Sequence, residues 1–564
     1  MSPFLSDMRD GELQEYVPDL QCWESNEPRI DSQDPCRIGG PGFLPSWPVE
    51  MGCLRKLPDA LSDRLTDIAL TCLEEYDLDY HRVEIVQRYS RGQTPTPADN
   101  TVYISLYTPV NDDWVEALDS ILSATEQLQF AGRVEMVYHE ALDGIKTYPP
   151  DIPEQLAQDW PNIEGQITSQ LAVLGVDWKV VMLAKRGYWE DDAVNTVVIK
   201  ASVPSRTFAI TTRNSILLAI RNARYGLKVE VVRSDFLWGS FSEAPSRGLE
   251  SSSPGWPFAD SHNSMGMSVG RVDTPFTSTI GGYLKFTDSK GRKEFLGVTC
   301  YHAVRQDPAG RVDSAIQRDG SNDLEIPCQS PSGPDLKAAA KYANRYIPIS
   351  LRGVEALDEV SQETVKYDIT VRDRQLDEIK SFNPHIGTVL ATSGFKNAST
   401  HAGISSPLCL LDWAILHVRN GRRCHNYIGD INPSIPEWRR ESQSVSGIAD
   451  IPDTESTVIK KGRTTGVTLG VVGGPPVLVR LGAAYGNLYR RAWLVSRDWS
   501  KCFARPGDSG SWVLNMSGQV IGILVAGDES DGSGLIVPMS LVVRNIEAVA
   551  GFPEGSLDVD LHSR

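Results

Sequence analysis

The sequence has no long apolar run and few cysteines, and both features limit what the protein can be. No stretch approaches the ~20 apolar residues of a membrane-spanning helix, so we expect no membrane partner. The first residues lack the basic start and apolar core of a secretory signal, which favours a cytoplasmic location. Nine scattered cysteines in 564 residues show no metal-binding spacing, so we expect reduced thiols, no metal and no cofactor.

Basic charge is also scarce. The chain has 55 Lys and Arg against 73 Asp and Glu, a formal net charge of −18. Because phosphate would be repelled by such a chain, we expect no nucleic-acid partner. A hydrophobic content of 41% and a charged content of 23% are typical of a globular protein, and the length predicts two to four domains.

An internal repeat with an offset of 95 residues occupies the N-terminal half. Four ungapped stretches recur at this offset: Arg91–Gly92 and Arg186–Gly187, Thr101–Ile104 and Thr196–Ile199, Ser120–Leu122 and Ser215–Leu217, Val134–Val137 and Val229–Val232. Each copy has the apolar periodicity of a helix, two strands, a helix and a strand. We therefore predict a tandem repeat of two α+β units, at 58–142 and 153–237. They are interpreted as a binding, docking or autoinhibitory module, with a plain scaffold as the alternative.

Composition divides the rest of the chain. Residues 1–57 are rich in Pro and acidic side chains and are predicted to be a poorly ordered lead-in. A stretch rich in Ser, Pro and Gly at 238–264 is predicted to be a linker. The segment 265–551 is rich in β-branched residues and turns, with an irregular interval at 305–365 that indicates an insertion, and a tail follows at 552–564.

A serine between two glycines marks the centre of this C-terminal half. Gly507-Asp508-Ser509-Gly510 follows Pro506 and leads into an apolar stretch, a pattern typical of a tight turn before a strand. Glycine at position 507 permits a backbone conformation that points its N–H beside that of Ser509. A hydroxyl next to two such donors suits acyl transfer if a base takes its proton. The alternative is an ordinary glycine turn.

Candidates for the base and for its orienting acid lie upstream. His302 ends a β-branched run, and Asp412 opens an apolar strand, so the chain order is His, Asp, Ser. Asp368, which we expect at the start of another strand, is an alternative acid. A lone His would ordinarily be a hydrogen-bonded core residue. The three motifs in this order favour a catalytic triad of His302, Asp412 and Ser509.

These motifs resemble those of a known family. The segment 265–551 is similar to a trypsin-like serine peptidase domain of the divergent intracellular type found in fungi. The resemblance rests on T-C-Y-H-A-V at 299–304, L-D-W-A-I-L at 411–416 and P-G-D-S-G-S-W at 506–512. It implies an all-β, chymotrypsin-like double β-barrel after the α+β repeats.

The resemblance also implies roles for single residues. His302 would be the general base, Asp412 the orienting acid and Ser509 the nucleophile, with the amides of Gly507 and Ser509 as the oxyanion hole. An Asp six residues before the nucleophile selects basic side chains in trypsin-like enzymes. Here that place is Phe503, next to Ala504, which favours an apolar or small residue before the cleaved bond.

One departure concerns activation. In secreted zymogens of this type, the residue that matches Asp508 pairs with a newly cut N-terminus. Here the domain starts deep inside the chain, so such a cut is not implied, and we expect Asp508 to hydrogen-bond locally.

The predicted function is that of an intracellular serine endopeptidase. Its partners would be protein or peptide substrates, and the N-terminal repeats would regulate it intramolecularly. Two alternatives stay open at this point. The chain could be a catalytically silent interaction protein with a peptidase fold, or a binding protein whose barrel serves only for self-processing.

Overall fold

The computed structural model describes most of the chain between residues 29 and 559. Outside the description lie 1–28, 31–35, 43, 46–48, 53–56, 91–93, 142–143, 203–205, 221–224, 234–235, 239–261, 273, 305–325, 352–358, 395–408, 420–421, 430–443, 453–454, 482–488, 498–501, 529–531 and 560–564. Most of the predicted linker, most of the lead-in and the end of the tail therefore fall outside the described residues.

Two compact units divide the chain. The first comprises residues 1–148, 185–195 and 206–215, and the second comprises 149–184, 196–205 and 216–564. The first begins with β1 Arg29–Ile30, β2 Arg37–Gly40, β3 Val49–Gly52, α1 Asp59–Glu75, β4 Tyr80–Ser90, β5 Asn100–Leu106, α2 Asp112–Gln127, β6 Arg133–Tyr138 and β7 Lys146–Tyr148. Six of these strands form one sheet in the order β1-β2-β6-β5-β4-β3.

Apolar spacing explains the helices of this first unit. In α2, the buried side chains Trp114, Leu118, Ile121 and Leu122 follow the three- and four-residue spacing of one helix face. They share a core with the strands and with α1. The side chain of Asn111 caps α2 by accepting a hydrogen bond from the N–H of Trp114 at 3.1 Å.

The prediction of a poorly ordered lead-in at 1–57 is wrong where the structure describes it. β2 pairs with β6, and β3 pairs with β4, so strands from this region extend both sides of the sheet. Both strands have only four residues and contain glycine, and β2 is buried throughout. Such short strands show no alternating pattern, and only their pairing partners order them.

The second unit continues with the elements of the second predicted repeat. They are α3 Glu154–Val173, β8 Asp177–Gly187, β9 Val194–Ser202, α4 Arg206–Ile220 and β10 Lys228–Arg233, followed by β11 Phe236–Trp238. The boundary between the units falls within β8, β9 and α4.

The two predicted repeats share the same order of elements and one register. The parallel pair β5–β6 aligns Thr101 with Arg133, and the parallel pair β9–β10 aligns Thr196 with Lys228. Thr196 and Lys228 each lie 95 positions after their counterparts in the first pair, Thr101 and Arg133. The duplication itself stays a prediction.

The peptidase-like part opens with strands that form a first barrel. Its elements are β12 His262–Ser264, β13 Ser268–Arg271, β14 Ser278–Thr279, β15 Gly282–Thr287, β16 Lys293–Thr299, β17 Pro327–Gln329, α5 Gly333–Leu351, α6 Glu359–Ser381, β18 His385–Thr392, β19 Ala414–Val418 and β20 Arg423–His425. The main sheet runs β14-β13-β17-β18-β19-β16-β15-β29, where β29 is Leu557–Asp558. Because β14 and β15 follow each other along the chain, the sheet closes on itself.

A second barrel follows. Its elements are β21 Gly447–Ile448, β22 Ser456–Gly462, β23 Gly466–Val472, β24 Val477–Arg480, β25 Tyr489–Arg497, β26 Trp512–Asn515, β27 Gln519–Asp528, β28 Gly534–Pro538 and α7 Met539–Ala550. Strands β25, β23, β22, β26, β27 and β28 each pair with the next, and β28 pairs back with β25. This cycle of pairings closes the barrel. The prediction of a β-barrel architecture for this part of the chain is confirmed.

Two features of this part differ from the predictions. The interval 305–365, predicted as an irregular insertion, holds β17, α5 and the start of α6, and α6 includes Asp368, which we had expected in a strand. The predicted domain break between the second repeat and the barrels also fails as a break between compact units. β8 pairs with β24, with Val180 opposite Val479, so a single sheet runs from the second repeat into the second barrel.

No helix in the described part of the chain combines the length and apolar character needed to cross a membrane.

Candidate active site

His302 and Asp412 are brought together by an antiparallel pair of strands. β16 and β19 align Thr299 with Ala414, so the residues after β16 and before β19 meet at one end of the pair. The main-chain N–H of His302 donates to Oδ1 of Asp412 at 3.0 Å, and Nδ1 lies 2.5 Å from Oδ2. Both side chains are buried. A carboxylate in this position orients the imidazole and favours a proton on Nδ1.

The turn that carries Ser509 lies against the strand that leads to His302. The carbonyl of Ser509 accepts a hydrogen bond from the N–H of Thr279 at 2.9 Å. Gly510 has a φ of 93°, and a Cβ there would lie 2.3 Å from the carbonyl oxygen of Thr279 and 3.2 Å from the nitrogen of Cys300. Glycine is required by both the φ value and this close approach. The three predicted triad residues therefore lie in one region.

Ser509 and His302 are the pair that proton transfer would join. Neither the hydroxyl of Ser509 nor Nε2 of His302 makes a hydrogen bond to the other, and both residues belong to the described part of the chain. Their exposed fractions are 8% and 3%, so both residues are buried. Catalytic hydrogen bonds of this kind are often long before substrate binds.

The main-chain amides of the serine turn fall into two groups. Those of Asp508, Gly510 and Ser511 donate to main-chain carbonyls at 3.0, 2.7 and 3.0 Å. Those of Gly507 and Ser509 donate to no described residue. Gly507 has a φ of 95°, as a turn that redirects its amide requires. The two amides predicted for the oxyanion hole are therefore available to an acceptor.

The carboxylate of Asp508 ties this turn to the tip of the β22–β23 hairpin. Oδ1 accepts hydrogen bonds from the amides of Thr464 and Thr465 at 2.8 and 3.1 Å. Oδ2 accepts from the amide of Arg505 at 3.1 Å, from the hydroxyl of Thr465 at 2.7 Å and from Nζ of Lys460 at 3.2 Å. The expectation of local hydrogen bonding describes only part of this network, and sequence reasoning missed Lys460.

A second buried ion pair adjoins the turn and was also missed. Nε of Arg463 donates to Oδ2 of Asp335 at 3.0 Å, and its main-chain N–H donates to Oγ1 of Thr279 at 3.0 Å. A Cβ on Gly507 would lie 2.6 Å from Nη1 of Arg463. The signal was the K-K-G-R stretch at 460–463, where cations interrupt a β-branched strand.

The alternative acid lies elsewhere in the fold. Asp368 belongs to the helix α6, whereas the carboxylate beside His302 is that of Asp412. The expected strand was wrong because the apolar residues Val365, Ile369 and Val371 also fit a helix that packs against a neighbouring element.

The two predicted pocket residues differ in their surroundings. Phe503 is fully buried in the core of the second barrel, with its ring centre 5.4 Å from Nζ of Lys460. Ala504 is also buried, and its Cβ lies 3.2 Å from the position of a Cβ built on Gly527 of β27. Ala504 therefore lies beside the end of β27, whereas Phe503 packs inside the barrel.

The edge of β27 next to the serine turn is occupied by β11. β26 pairs with β27 up to Ile523, and the serine turn takes the next position on this edge, at Leu524. β28 pairs along the opposite edge. β11 then pairs antiparallel with the end of β27, with Trp238 opposite Ala526. The strand β11 therefore lies along the same edge of β27 as the turn that carries Ser509.

One group of side chains in the described residues has metal-binding potential. Donor atoms of Cys300, His302 and Asp412 lie within 4.8 Å of one another. Burial, reinforced by the charge of Asp412, raises the pKa of the Cys300 thiol well above its usual value. A neutral thiol is a poor metal ligand, and Asp412 is already engaged with the imidazole. These three side chains therefore fit a role in orienting the imidazole of His302 better than a role in binding a metal ion.

Parts of this chain match a protein-family model and several solved structures. Residues 404–553 match Peptidase family S64. Among solved structures, a glutamic-acid-specific serine protease aligns over 53% of this chain and 100% of its own, with 13% identity and a TM-score of 0.27. Thermobifida fusca Protease A aligns over 50% and 96%, with 14% identity and a TM-score of 0.26. A Cellulomonas bogoriensis chymotrypsin aligns over 29% and 73%, with 21% identity and a TM-score of 0.20. The family match confirms the predicted resemblance of the C-terminal half.

Proposed function

We propose, from the premise that the C-terminal half contains a trypsin-like serine peptidase domain, that the chain is an intracellular serine endopeptidase. Its triad is His302, Asp412 and Ser509, and its oxyanion hole is formed by the amides of Gly507 and Ser509. The observation that carries this proposal is the bonded pair of His302 and Asp412 beside a serine turn with two unengaged amides. A cytoplasmic location remains part of the proposal and rests on the sparse cysteines of the sequence.

The mechanism follows from the positions of these groups. Oγ of Ser509 attacks the carbonyl carbon of the substrate while its proton passes to Nε2 of His302. The charge that develops on the carbonyl oxygen is stabilised by the amides of Gly507 and Ser509. His302 then gives the proton to the leaving amine. Water attacks the acyl-enzyme, His302 takes a proton from it, and the free hydroxyl of Ser509 is restored. Asp412 stays ionised and stabilises the imidazolium.

The substrate would bind as an extended strand on β27. Peptides commonly add to a free sheet edge through main-chain hydrogen bonds. The close approach of Ala504 and Gly527, two small uncharged residues, supports the preference for an apolar or small residue before the cleaved bond. Fully buried Phe503 would affect this preference only through the packing below that wall.

Intramolecular regulation is the second part of the proposal. β11 lies at the end of the second repeat and holds the edge that an extended substrate would use. A substrate would have to displace it, so β11 would lower the activity of the intact chain.

Two ion pairs, one almost fully buried and one partly buried, support a regulatory role for the second repeat. Nζ of Lys200 in β9 lies 2.8 Å from Oδ2 of Asp528, at the end of β27 where β11 pairs, and both side chains are almost fully buried. Glu164 in α3 pairs with Arg491 in β25. Since an unpaired buried charge is costly, these pairs favour a repeat that stays docked on the barrel.

The direct test is covalent labelling of the nucleophile. A fluorophosphonate probe should label wild-type full-length chain at Ser509, and Ser509→Ala should abolish the label. Asp412→Asn is the matched variant that keeps the hydroxyl but should slow labelling. If neither the folded wild-type chain nor a folded variant with disrupted β11 pairing ever labels, the result would favour the catalytically silent interaction protein.

Self-processing has its own outcome. If the wild-type chain separates into fragments near Trp238 and the Ser509→Ala chain stays intact, the peptidase domain cuts its own chain near β11. β11 is then part of a cleavage product that stays bound. That result would favour the alternative in which the repeats do the binding.

A further inference from the structure

The buried side chain of Asp508 belongs to the turn that carries the proposed oxyanion hole. This residue stands between Gly507 and Ser509, whose amides would bind the developing negative charge. Its carboxylate accepts five hydrogen bonds, three of them from main-chain amides at 464, 465 and 505. The conformation of the turn therefore depends on this carboxylate staying inside the barrel.

A buried carboxylate needs a cation, and the charged neighbours identify it. Nζ of Lys460 lies 3.2 Å from Oδ2 of Asp508, and both side chains are fully buried. Arg463 is paired with Asp335. The guanidinium of Arg505 lies near Sγ of Cys502. Among the described residues, Lys460 is therefore the cation in contact with Asp508.

The position of Lys460 in β22 makes this contact rigid. Its ammonium also donates to the hydroxyl of Thr465 at 2.7 Å, and that hydroxyl donates to Oδ2 of Asp508 at 2.7 Å. A Cβ on Gly462 would lie 2.3 Å from Oδ1 of Asp508 and 2.8 Å from Nζ of Lys460. Glycine at the hairpin tip thus leaves room for the ion pair.

We propose that Lys460 supplies, from within the folded domain, the positive charge that holds the serine turn in its working conformation, so that the turn needs no newly cut N-terminus. This rests on the proposed peptidase function and names the group that replaces a cut-generated amine. Lys460 is a positioning residue, since it acts through Asp508 and touches no reacting atom.

The protonation of Lys460 gives this role a pH signature. Burial lowers the pKa of Lys460 below its usual value, although the charge of Asp508 opposes the shift. As pH rises through this lowered pKa, Asp508 loses its cation and the turn relaxes. Because the pKa of Lys460 is lower in the folded than in the unfolded chain, the unfolded chain binds the proton more tightly. The contribution of Lys460 to stability therefore rises with pH between the folded and the unfolded pKa. Activity and stability should therefore change in opposite directions in this window.

The experiment compares full-length wild type with Lys460→Ala and with Lys461→Ala, a change at the next residue on the opposite face of β22. We expect the rate of fluorophosphonate labelling at Ser509 to fall about 100-fold or more in Lys460→Ala, the size of effect seen when an oxyanion donor is lost. Lys461→Ala should label like wild type. Propylammonium, which replaces the missing atoms and the charge, should restore labelling in part, whereas 1-propanol should not.

Hydrogen exchange provides a readout that does not need activity. Peptides covering 503–512 should exchange faster in Lys460→Ala than in Lys461→Ala. If Lys460→Ala does not fold, Lys460→Met, which is closer in volume, takes its place.

Three results would overturn the proposal: labelling in the Lys460 variant at the wild-type rate, equal rescue by propylammonium and propanol, or unchanged exchange of the turn. A wild-type chain that does not label contradicts the peptidase function instead, and the exchange measurement then decides about Lys460 by itself.

Discussion

Proline in β11 should activate the intact chain. In Leu237→Pro, the ring removes one main-chain N–H and fixes φ near −65°, which is incompatible with a paired antiparallel strand. β11 aligns three residues with β27, with Leu237 opposite Gly527. A pairing of this length contains two or three main-chain hydrogen bonds, each contributing about 0.5–1.5 kcal/mol net. Its loss should therefore shift the docking equilibrium by about 1–4 kcal/mol, a factor of about 5 to 1000.

The assay is steady-state cleavage of an unfolded protein substrate by full-length chain. An intramolecular strand competes with the substrate for one edge, so Leu237→Pro should lower KM and change kcat little. Ser246→Pro, eight residues beyond the end of β11, is the matched control and should behave like wild type. Ser509→Ala in the Leu237→Pro background should be inactive.

A particular result would refute this reasoning. If Leu237→Pro unfolds at the wild-type temperature and its KM is also unchanged, β11 does not compete with substrate. An increase in kcat at constant KM would instead mean that β11 distorts the triad and does not cover the substrate edge.

Three further predictions concern the site itself. Asp412→Asn should reduce kcat by about 10⁴-fold with little change in KM, because the imidazole loses its orienting acceptor; kinetics within tenfold of wild type would contradict the assigned triad. Gly507→Ala should reduce kcat by about 10²–10³-fold, since its φ of 95° and the lack of space both oppose a Cβ, and a normal labelling rate would rule out this amide as an oxyanion donor. Burial raises the pKa of Cys328 to about 12, so native chain at pH 8.5 should resist iodoacetamide at this position while half-buried Cys502 reacts; mass spectrometry showing equal modification would contradict this burial.

Local patterns in the sequence singled out residues that the structure brings into one region. The G-D-S-G turn requires glycine at two positions with φ above 90°, and a sequence can signal that requirement because it concerns the backbone of the residues themselves. The order of His302, Asp412 and Ser509 could be read in the same way, as three motifs that each end or begin a strand. The helices and strands of both predicted repeats also followed from apolar periodicity.

Partners that come from distant strands could not be predicted in this way. Lys460 reaches Asp508 from a neighbouring strand, Asp335 reaches Arg463 from a helix in the insertion, and neither contact leaves a trace in the spacing of residues. Asp368 was expected in a strand because short apolar runs fit a strand or a buried helix equally well.

The sequence alone determined which groups could react, since a hydroxyl, an imidazole, a carboxylate and a flexible glycine turn are properties of the residues. Tertiary structure decided what surrounds these groups. The pairing of β8 with β24 joins the second repeat to the barrel, β11 fills the edge beside the nucleophile, and Lys460 neutralises the carboxylate under the turn. Each of these depends on strand pairing between remote parts of the chain, and the free energy of such pairing comes from burial and hydrogen bonding that exist only once the sheet has formed.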